Sequence, residues 1–332
     1  MQQYPSTRLR RNRKVEWSRK LFRENTLQTD DLILPIFVQE GNGLKTPIES
    51  MPGVYRVTQD IAKEIAHDAK SIGINAVILF PYIDKSKKCP QGKEALNHDN
   101  LICRTIKEIK SSIPELGVIT DVALDPYTSH GHDGLIDESG YVLNDKTIDV
   151  LSAQALNFAL AGCDAIAPSD MMDGRVGKIR ETLEMKGFHN TQIISYSAKY
   201  ASNFYGPFRD AVGSKNTLLK ADKKIYQMDC ANSKEAMSAI ELDIAQGADA
   251  IIIKPGLPYL DILKLASDQF NIPLVAYQVS GEYSMLKLAA ERGIFDFLGT
   301  CFETLTAMKR AGASAIITYA ALDIAKYLMQ KR

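Results

Sequence analysis

The sequence predicts a (β/α)8 barrel preceded by an N-terminal arm. Eight short apolar runs recur along the 332 residues, and helix-like stretches lie between most of them. Such alternation is typical of a parallel sheet with helices outside it, and eight strands in a chain of this length favour a closed barrel over an open sheet. The runs are "LILPIF" (32–37), "AVILF" (76–80), "GVITDVA" (117–123), "DAIAP" (164–168), "QIISYSA" (192–198), "AIIIKP" (250–255), "PLVAYQV" (273–279) and "SAIITY" (314–319).

The segments between these runs have the features of capped helices. "TQDIAKEIAHDAKSIG" begins with a predicted cap at Thr58 and stops at Gly73, since glycine commonly follows a helix end. "NDKTIDVLSAQALNFALAG" ends at Gly162 in the same way. "SKEAMSAIELDIAQG" begins with a predicted cap at Ser233 and closes on Gly247. Each segment is therefore expected to be one of the outer helices.

Two further observations bear on the topology. A ninth apolar run, "KIYQMD" (224–229), exceeds the count of eight, and we interpret it as part of a long loop between the fifth and sixth strands. No glycine-rich dinucleotide fingerprint follows the first strand, which argues against a Rossmann fold. No linker divides the chain, so we expect an arm over residues 1–30 and a catalytic barrel over residues 31–332.

Composition excludes several classes of partner. The formal net charge is zero, so nothing indicates binding to nucleic acid or to an anionic membrane. No apolar run approaches the roughly 18 residues needed to span a bilayer. The basic start lacks the apolar segment of a signal peptide, and an exposed arm is favoured over a transit peptide. Widely spaced cysteines indicate reduced thiols in a cytoplasmic protein rather than a zinc site. They are Cys89, Cys103, Cys163, Cys230 and Cys301.

Two lysines stand at equivalent places, each at the end of a predicted strand. Lys199 ends "IISYSAK" and Lys254 ends "AIIIK". Reactive side chains of a (β/α)8 barrel lie at the carboxyl ends of its strands, and these two strands should be neighbours. A lysine attacks a carbonyl only as the free amine. We therefore expect Lys254 to be made nucleophilic by Lys199 and by desolvation. Either lysine alone is more simply explained as an exposed or ion-paired side chain, but the pair favours Schiff-base chemistry.

Other polar residues near the strand ends suit a keto acid substrate. Arg209 follows the fifth strand, and an arginine can hold a carboxylate through two parallel hydrogen bonds. Lys223 lies in the long loop after it, while Ser280 and Tyr319 offer hydroxyls at the ends of the last two strands. Taken singly, each has a structural alternative: a rim charge, a turn residue or a core phenol.

At this point the residues resemble a known family, the porphobilinogen synthases or δ-aminolevulinic acid dehydratases. The resemblance extends over nearly the whole chain in the expected order, and the lysine-containing stretches are its most specific part. The matching stretches are "LRRNR", "DDLILPIFV", "DVALDPYTSHGHDG", "APSDMMDGR", "SYSAKYASNFYGPFRDA", "YQMD", "IKPGLPYLD", "YQVSGEYSM" and "KRAGASAIITY".

The resemblance implies a reaction that joins two 5-aminolevulinate molecules, with loss of two waters, to give porphobilinogen in tetrapyrrole (heme) synthesis. Lys254 would hold the substrate that becomes the propionate side, and Lys199 the substrate that becomes the acetate side. Carboxylates such as Asp121 or Asp125 could carry protons, and the sequence leaves the choice between them open. Two substrates bound side by side would turn the condensation into a positioned reaction.

The resemblance also implies binding roles. Arg209 and Lys223 match positions that bind the carboxylate of the second substrate, and Ser280 and Tyr319 match those that bind the carboxylate of the first. Positions that line or support the pocket are matched by Ser169, Gln227, Asp121, Asp125 and Asp133.

The sequence departs from the family at its metal positions. Many members bind catalytic zinc through three cysteines in the loop after the third strand, where this chain has Ala123, Asp125 and Asp133. Carboxylates do not reproduce a thiolate set, so the resemblance implies the zinc-independent subtype. We expect the neighbouring His130 and His132 to make hydrogen bonds rather than to bind metal.

A second departure concerns magnesium. Bacterial members often place a magnesium-binding glutamate on the helix before the sixth strand, where this chain has Ala239. Glu241 is two residues further on and would face elsewhere on a helix. The usual magnesium site is therefore not expected, although stimulation by Mg²⁺ or K⁺ stays open.

The resemblance implies a homo-oligomer, an octamer in which arms wrap neighbouring barrels. The arginines of "RLRRNR" could pair with acids on a partner, and the alternative is a frayed tail. Two other functions are weighed against the condensing enzyme. One is a class I aldolase-like lyase that uses only Lys254, and the other is a non-catalytic barrel that binds a ligand or serves as a scaffold.

Overall fold

The fold is a closed barrel of parallel strands, confirming the predicted class. A computed structural model describes residues 3–213 and 222–331. All eight predicted runs are strands, and two short strands follow the first of them. The strands are β1 (Leu32–Val38), β2 (Lys45–Pro47), β3 (Tyr55–Val57), β4 (Ala76–Pro81), β5 (Gly117–Val122), β6 (Ala165–Pro168), β7 (Gln192–Lys199), β8 (Ala250–Lys254), β9 (Leu274–Gln278) and β10 (Ala315–Thr318).

Closure of the barrel is visible in the strand order. The sheet runs from β1 through β4 to β10 with every neighbouring pair of these strands parallel, and β10 returns to β1. At the seam Leu32 pairs with Ile316 and Ile33 with Ile317. Parallel closure brings the carboxyl ends of all eight strands to one mouth.

Helices connect the strands, as the alternating pattern predicts. The helix that ends at Ala161 is followed by Gly162, whose φ of 101° lies in the left-handed region that favours glycine. The helices are α1 (Glu16–Leu21), α2 (Gln59–Ser71), α3 (Leu101–Ser112), α4 (Asn144–Ala161), α5 (Arg175–Met185), α6 (Gly206–Ala211), α7 (Lys234–Ala245), α8 (Leu260–Gln269), α9 (Ser280–Glu291), α10 (Phe297–Arg310) and α11 (Ala321–Gln330).

Two predicted helix caps are wrong in their hydrogen bonds. Thr58 does precede α2, but its hydroxyl donates to the carboxylate of Asp60 and accepts from the backbone N–H of Leu44 at 3.2 Å. Ser233 precedes α7 with a helical backbone (φ −117°, ψ −37°) and makes no capping bond, whereas a capping side chain normally requires an extended backbone at its own residue.

The region after β1 contains a feature that the sequence did not predict. β3 adds to β1 in parallel, with Phe37 opposite Arg56, and β2 pairs antiparallel with β3. All three residues of β2 are exposed, so no apolar alternation marks it. By contrast, the interpretation of residues 224–229 as loop is confirmed, because residues 223–225 form one 3₁₀ turn and Met228 makes only an isolated bridge to Tyr200.

Aromatic side chains fill the barrel beneath its mouth. Phe37 stacks on Tyr319 with ring centroids 5.7 Å apart, and Phe80 packs against Phe37 and Tyr277 at 5.8 and 6.5 Å. All four are buried. They make the floor of the mouth apolar, and an apolar floor disfavours the charged forms of the side chains above it.

The N-terminal segment lies ahead of the first barrel strand. It contains a 3₁₀ turn over Leu9–Arg13 and the short helix α1. The predicted boundary at residue 30 stays a prediction. Among the described residues, no helix combines the length and apolar character that crossing a membrane requires.

Candidate active site

The two lysines end neighbouring strands and stand directly opposite each other. Lys199 is the last residue of β7 and Lys254 the last residue of β8, and the two are paired in the parallel ladder. Both side chains line the same cavity at the barrel mouth, and each residue is only 5% exposed. The strand register therefore brings the two lysine side chains together, as the sequence predicted.

This register depends on a bulge in β7. Ser195 pairs with Ile251 and Ala198 with Ile253, so three residue steps on β7 oppose two on β8. Side chains alternate between the two faces of a strand, and an extra residue re-aims everything that follows it. Because of the bulge, Lys199 pairs with Lys254 and faces the cavity; in an unbroken register Ala198 would occupy that place.

Aromatic rings surround the amine of Lys254. Its Nζ lies 4.8 Å from the ring centroid of Tyr277, 4.9 Å from that of Phe208, and 5.1 Å from those of Tyr196 and Tyr205. Burial and, to a lesser extent, the charge of Lys199 together lower the pKa of Lys254 to about 7. Desolvation therefore contributes more than the repulsion between the two amines, and both act in the predicted direction.

Lys199 lies in a more polar setting. Its Nζ donates a hydrogen bond to the backbone carbonyl of Ser169 and lies 3.6 Å from the Oδ1 of Asp133. The same ring of Tyr196 that faces Lys254 is 5.9 Å from this nitrogen. The two lysines therefore share one cavity but differ in their partners, which suits two distinct tasks.

Lys223 forms a buried cluster with two of the predicted acids. Its Nζ lies 3.1 Å from Asp125 and 2.7 Å from Asp133. Burial opposes the charge of Asp133, but Lys223 and Lys199 outweigh it and lower the pKa of Asp133 to about 2. The hydroxyl of Tyr226 donates to the same carboxylate at 2.8 Å. Asp133 is therefore an ionised acceptor held from several sides.

Asp121 differs from these two acids. Burial raises its pKa to about 6, although Lys199 and Lys254 pull it down. Its Oδ1 is buried and lacks a hydrogen-bond partner among the described residues. A carboxyl group that titrates near neutral pH inside a reactive cavity is suited to proton transfer.

Most of the predicted site residues meet in this one cavity. In addition to the two lysines, it is lined by seven residues singled out from the sequence. These are Asp121, Asp125, Asp133, Ser169, Arg209, Lys223 and Gln227.

Ser280 and Tyr319 lie beside the cavity and are not among its lining residues. The Oγ of Ser280 accepts from the N–H of Phe208 at 2.9 Å and donates to the carbonyl of Phe204 at 3.2 Å. The hydroxyl of Tyr319 is 2.8 Å from that of Tyr277. Both contact residues whose rings surround Lys254, and their predicted binding role stays a prediction.

The two histidines make hydrogen bonds, as predicted. The Nε2 of His130 lies 3.1 Å from the carbonyl of Pro90, and the Nδ1 of His132 lies 3.2 Å from the hydroxyl of Tyr226. Burial lowers the pKa of both. They therefore brace the loop that carries Asp133.

The predicted metal positions do not fit a zinc ion. Ala123 supplies no ligand, and Asp125 and Asp133 are both engaged by Lys223. Within residues 3–213 and 222–331, no group of three or more His, Cys, Asp or Glu side chains is placed to hold a metal. At the predicted magnesium position, Ala239 is partly buried on α7, and Glu241 is exposed two residues further on.

Sequence reasoning missed the aromatic enclosure of Lys254. Tyr205 and Phe208 line the cavity, and Tyr196 and Tyr277 lie below it. The available signal was their position, since two of them occur in "NFYGPF" directly after β7 and the other two are inward positions of barrel strands. In sequence they looked like ordinary core residues.

Comparison with known proteins places this geometry in a family. The family model for delta-aminolevulinic acid dehydratase matches residues 6–327. The delta-aminolevulinic acid dehydratase of Bradyrhizobium diazoefficiens is 53% identical over 321 residues, covering 97% of this chain and 90% of that protein. The chloroplastic enzyme of Glycine max is 46% identical over 323 residues, covering 97% and 77% respectively.

A solved structure has the same architecture. The delta-aminolevulinic acid dehydratase (porphobilinogen synthase) of Toxoplasma gondii, in complex with the reaction product porphobilinogen, superposes with a TM-score of 0.96 at 46% identity. The match covers 98% of this chain and 92% of that one. This chain therefore belongs to the delta-aminolevulinic acid dehydratase family.

Proposed function

We propose that this chain makes porphobilinogen from two 5-aminolevulinate molecules through Schiff bases on Lys254 and Lys199. The condensation itself, a lyase reaction of tetrapyrrole biosynthesis that releases two waters, follows from family membership. The observation that supports the two-lysine mechanism is the pairing of these residues across β7 and β8 above one cavity.

Lys254 is suited to act as a nucleophile. With a pKa of about 7, a large fraction of its amine is free at neutral pH and can add to the substrate ketone. The ketone oxygen then leaves as water and a protonated imine forms. This iminium draws electrons from the neighbouring carbon, so that carbon loses a proton and can attack the second substrate. The four aromatic faces attract cationic charge at this point.

Asp121 is the acid that we assign to proton transfer. Its carboxyl group lines the cavity with both lysines and has a pKa of about 6, so it can both accept and release protons near neutral pH. Asp133, with a pKa of about 2, stays ionised under the same conditions. Its role is to keep Lys223 charged and to position Lys199, whose Nζ lies 3.6 Å away.

The binding roles follow the distribution of charge. Arg209 and Lys223 line the cavity and are assigned to the carboxylate of the second substrate. Ser169 and Gln227 line the same cavity and are assigned to orienting the substrates. Ser280 and Tyr319, which contact the aromatic residues around Lys254, are assigned to the carboxylate of the first substrate.

We also propose that catalysis needs no zinc. A divalent ion on Asp125 and Asp133 would have to displace Lys223, which lies within 3.1 Å of both carboxylates. A buried ammonium left without partners costs several kcal/mol. Mg²⁺ or K⁺ could still stimulate the enzyme from elsewhere.

The N-terminal segment supports the proposal of a homo-oligomer, and the family suggests an octamer. Tyr4, Leu9, Trp17, Leu21 and Phe22 are between 56% and 77% exposed. So many large apolar side chains in one short segment normally cover a partner, and the arginines between them can pair with acids. A cytoplasmic location stays a prediction, supported by five cysteines that are all free thiols.

The two-lysine mechanism predicts different outcomes for the two lysine variants. With 5-aminolevulinate and borohydride, we expect Lys254→Met to lose trapping at residue 254 and Lys199→Met to retain it. Both variants should lose porphobilinogen formation by at least about 1,000-fold, as when a covalent nucleophile is removed. Peptide mass mapping locates the trapped substrate, and Ehrlich's reagent measures the pyrrole.

The matched control is Lys264→Met, an exposed lysine on α8 that should leave both readouts unchanged. Pyrrole formation by Lys199→Met at the normal rate would contradict the second Schiff base. Trapping without pyrrole in the unaltered chain would favour the aldolase-like lyase, and neither signal would favour the scaffold.

The lowered pKa of Lys254 predicts a pH profile. Only the free amine attacks, so trapping at Lys254 should rise with pH through a midpoint near 7. Lys199→Met removes a positive charge that lowers this pKa, so the midpoint should move upward, by about one unit. The rate of trapping with cyanoborohydride between pH 5 and 9 measures it, and an unmoved midpoint would show that burial alone sets the pKa.

Independence from zinc predicts that chelation leaves activity intact. After dialysis against a strong chelator, pyrrole formation should persist, and returned Zn²⁺ should not increase it. Loss on chelation with recovery by zinc would overturn this proposal. Recovery with Mg²⁺ or K⁺ alone would support stimulation at a separate site, since Asp125 and Asp133 are engaged by lysines.

If the exposed arm forms contacts between subunits, charged substitutions in it should disrupt the homo-oligomer. Trp17→Glu and Leu21→Glu change residues that are both 67% exposed, so the fold should survive while the oligomer falls to a smaller species. Sedimentation velocity measures the change. The control is Met185→Glu, which is 69% exposed at the end of α5, and an assembly equally sensitive to this change would argue against the arm.

A further inference from the structure

The outer face of β7 is tied to helix α7 at the bulge. The hydroxyls of Ser195 and Ser197 both donate to the Oδ2 of Asp243, at 2.8 and 2.5 Å. Asp243 lies on α7, outside the barrel, and is 4% exposed. Ser195 is the last paired residue before the register with β8 shifts, and Ser197 lies within the shifted stretch. One carboxylate therefore binds the start and the interior of the bulge.

An arginine completes this arrangement. The Nη2 of Arg175 donates to the backbone carbonyl of Tyr196 at 3.0 Å and to Ser195 at 3.2 Å, and it lies 3.3 Å from Asp243. Tyr196 is inside the bulge, where a strand loses part of its regular ladder of hydrogen bonds. A buried carbonyl needs a partner, and a charged guanidinium on α5 supplies it.

We propose that Asp243 and Arg175 are positioning residues that hold the β7 bulge and thereby aim Lys199 into the cavity. Neither lines the cavity, so neither touches substrate. Their effect passes through the backbone of residues 195–198, whose shift decides which side chain pairs with Lys254. This inference rests on the proposed role of Lys199 as the second Schiff-base lysine.

The physical reason is the cost of the bulge. A regular strand would pair Ser197 with Ile253 and Ala198 with Lys254, and would turn the side chain of Lys199 away from the mouth. With the bulge this does not happen, but some hydrogen bonds between the strands are lost. The buried ionic network supplies hydrogen bonds in their place. Since a misplacement of about 1 Å in a reacting group can reduce the rate by on the order of 100-fold, even partial relaxation should be visible in catalysis.

The test uses the full-length chain with Ser195→Ala and Ser197→Ala combined, which leaves the Asp243–Arg175 pair intact. We expect faster hydrogen exchange at residues 196–199, unchanged trapping at Lys254, loss of trapping at Lys199, and a fall in kcat on the order of 100-fold. Asp243→Asn is the second variant and should act in the same direction. Thermal unfolding of each variant confirms that it folds.

The matched control is Asp249→Asn. Asp249 accepts from the N–H of Ile193 at 2.7 Å and pairs with Arg180 at 2.6 Å, so it anchors the opposite end of β7. This variant should lose stability without changing the ratio of trapping at Lys199 to trapping at Lys254. A purely structural role for Asp243 would make both aspartate variants behave alike, and this outcome would overturn the inference.

The two levels of the proposal fail in different ways. Unchanged hydrogen exchange at residues 196–199 in the serine variant would show that Asp243 and Arg175 do not hold the bulge, whether or not the lysines are trapped. Faster exchange with normal trapping at Lys199 would overturn the positioning role. Absence of trapping at Lys199 in the unaltered chain would instead overturn the proposed function. The hydrogen-exchange data would still decide whether Asp243 and Arg175 hold the bulge.

Discussion

The chemistry of the mouth depends on one irregularity of backbone pairing, the bulge in β7. In a parallel barrel the register of neighbouring strands decides which residues reach the same height and which face inward. With the extra residue, Lys199 and Lys254 pair at the carboxyl end of adjacent strands. Every later property of the site, from the shared cavity to the mutual influence of the amines, presupposes this pairing.

Once the lysines are paired, their surroundings assign them different chemistry. Around Lys254 the neighbours within about 5 Å are aromatic rings, so water is scarce and the neutral amine is favoured. Lys223 instead faces Asp125 and Asp133, which raise its pKa, and Lys199 lies 3.6 Å from Asp133. A single cavity thus contains one amine whose pKa is lowered to about 7 and one ammonium that is held by two acids. The difference arises from what each side chain is buried against, since all three are buried.

The sequence predicted what depends on local pattern and missed what depends on register. All eight barrel strands were predictable because each is a short apolar run, and the two lysines because each stands at the end of such a run. The hairpin of β2 and β3 has no apolar alternation, and the predicted cap at Thr58 failed because a nearer acid engages its hydroxyl. The bulge and the contacts around it could not be predicted from the sequence, since Ser195, Ser197 and Asp243 are ordinary residues for a strand and a helix.

Lys223 shows how the departure from cysteine ligands is compatible with the same reaction. An ammonium has three donors, and its contacts with Asp125 and Asp133 leave capacity for one more acceptor. A substrate carboxylate can therefore join the cluster without displacing either acid. The two carboxylates keep Lys223 charged, because their attraction outweighs the burial that would otherwise lower its pKa. Where thiolates would hold a metal, these two acids hold the ammonium group of Lys223.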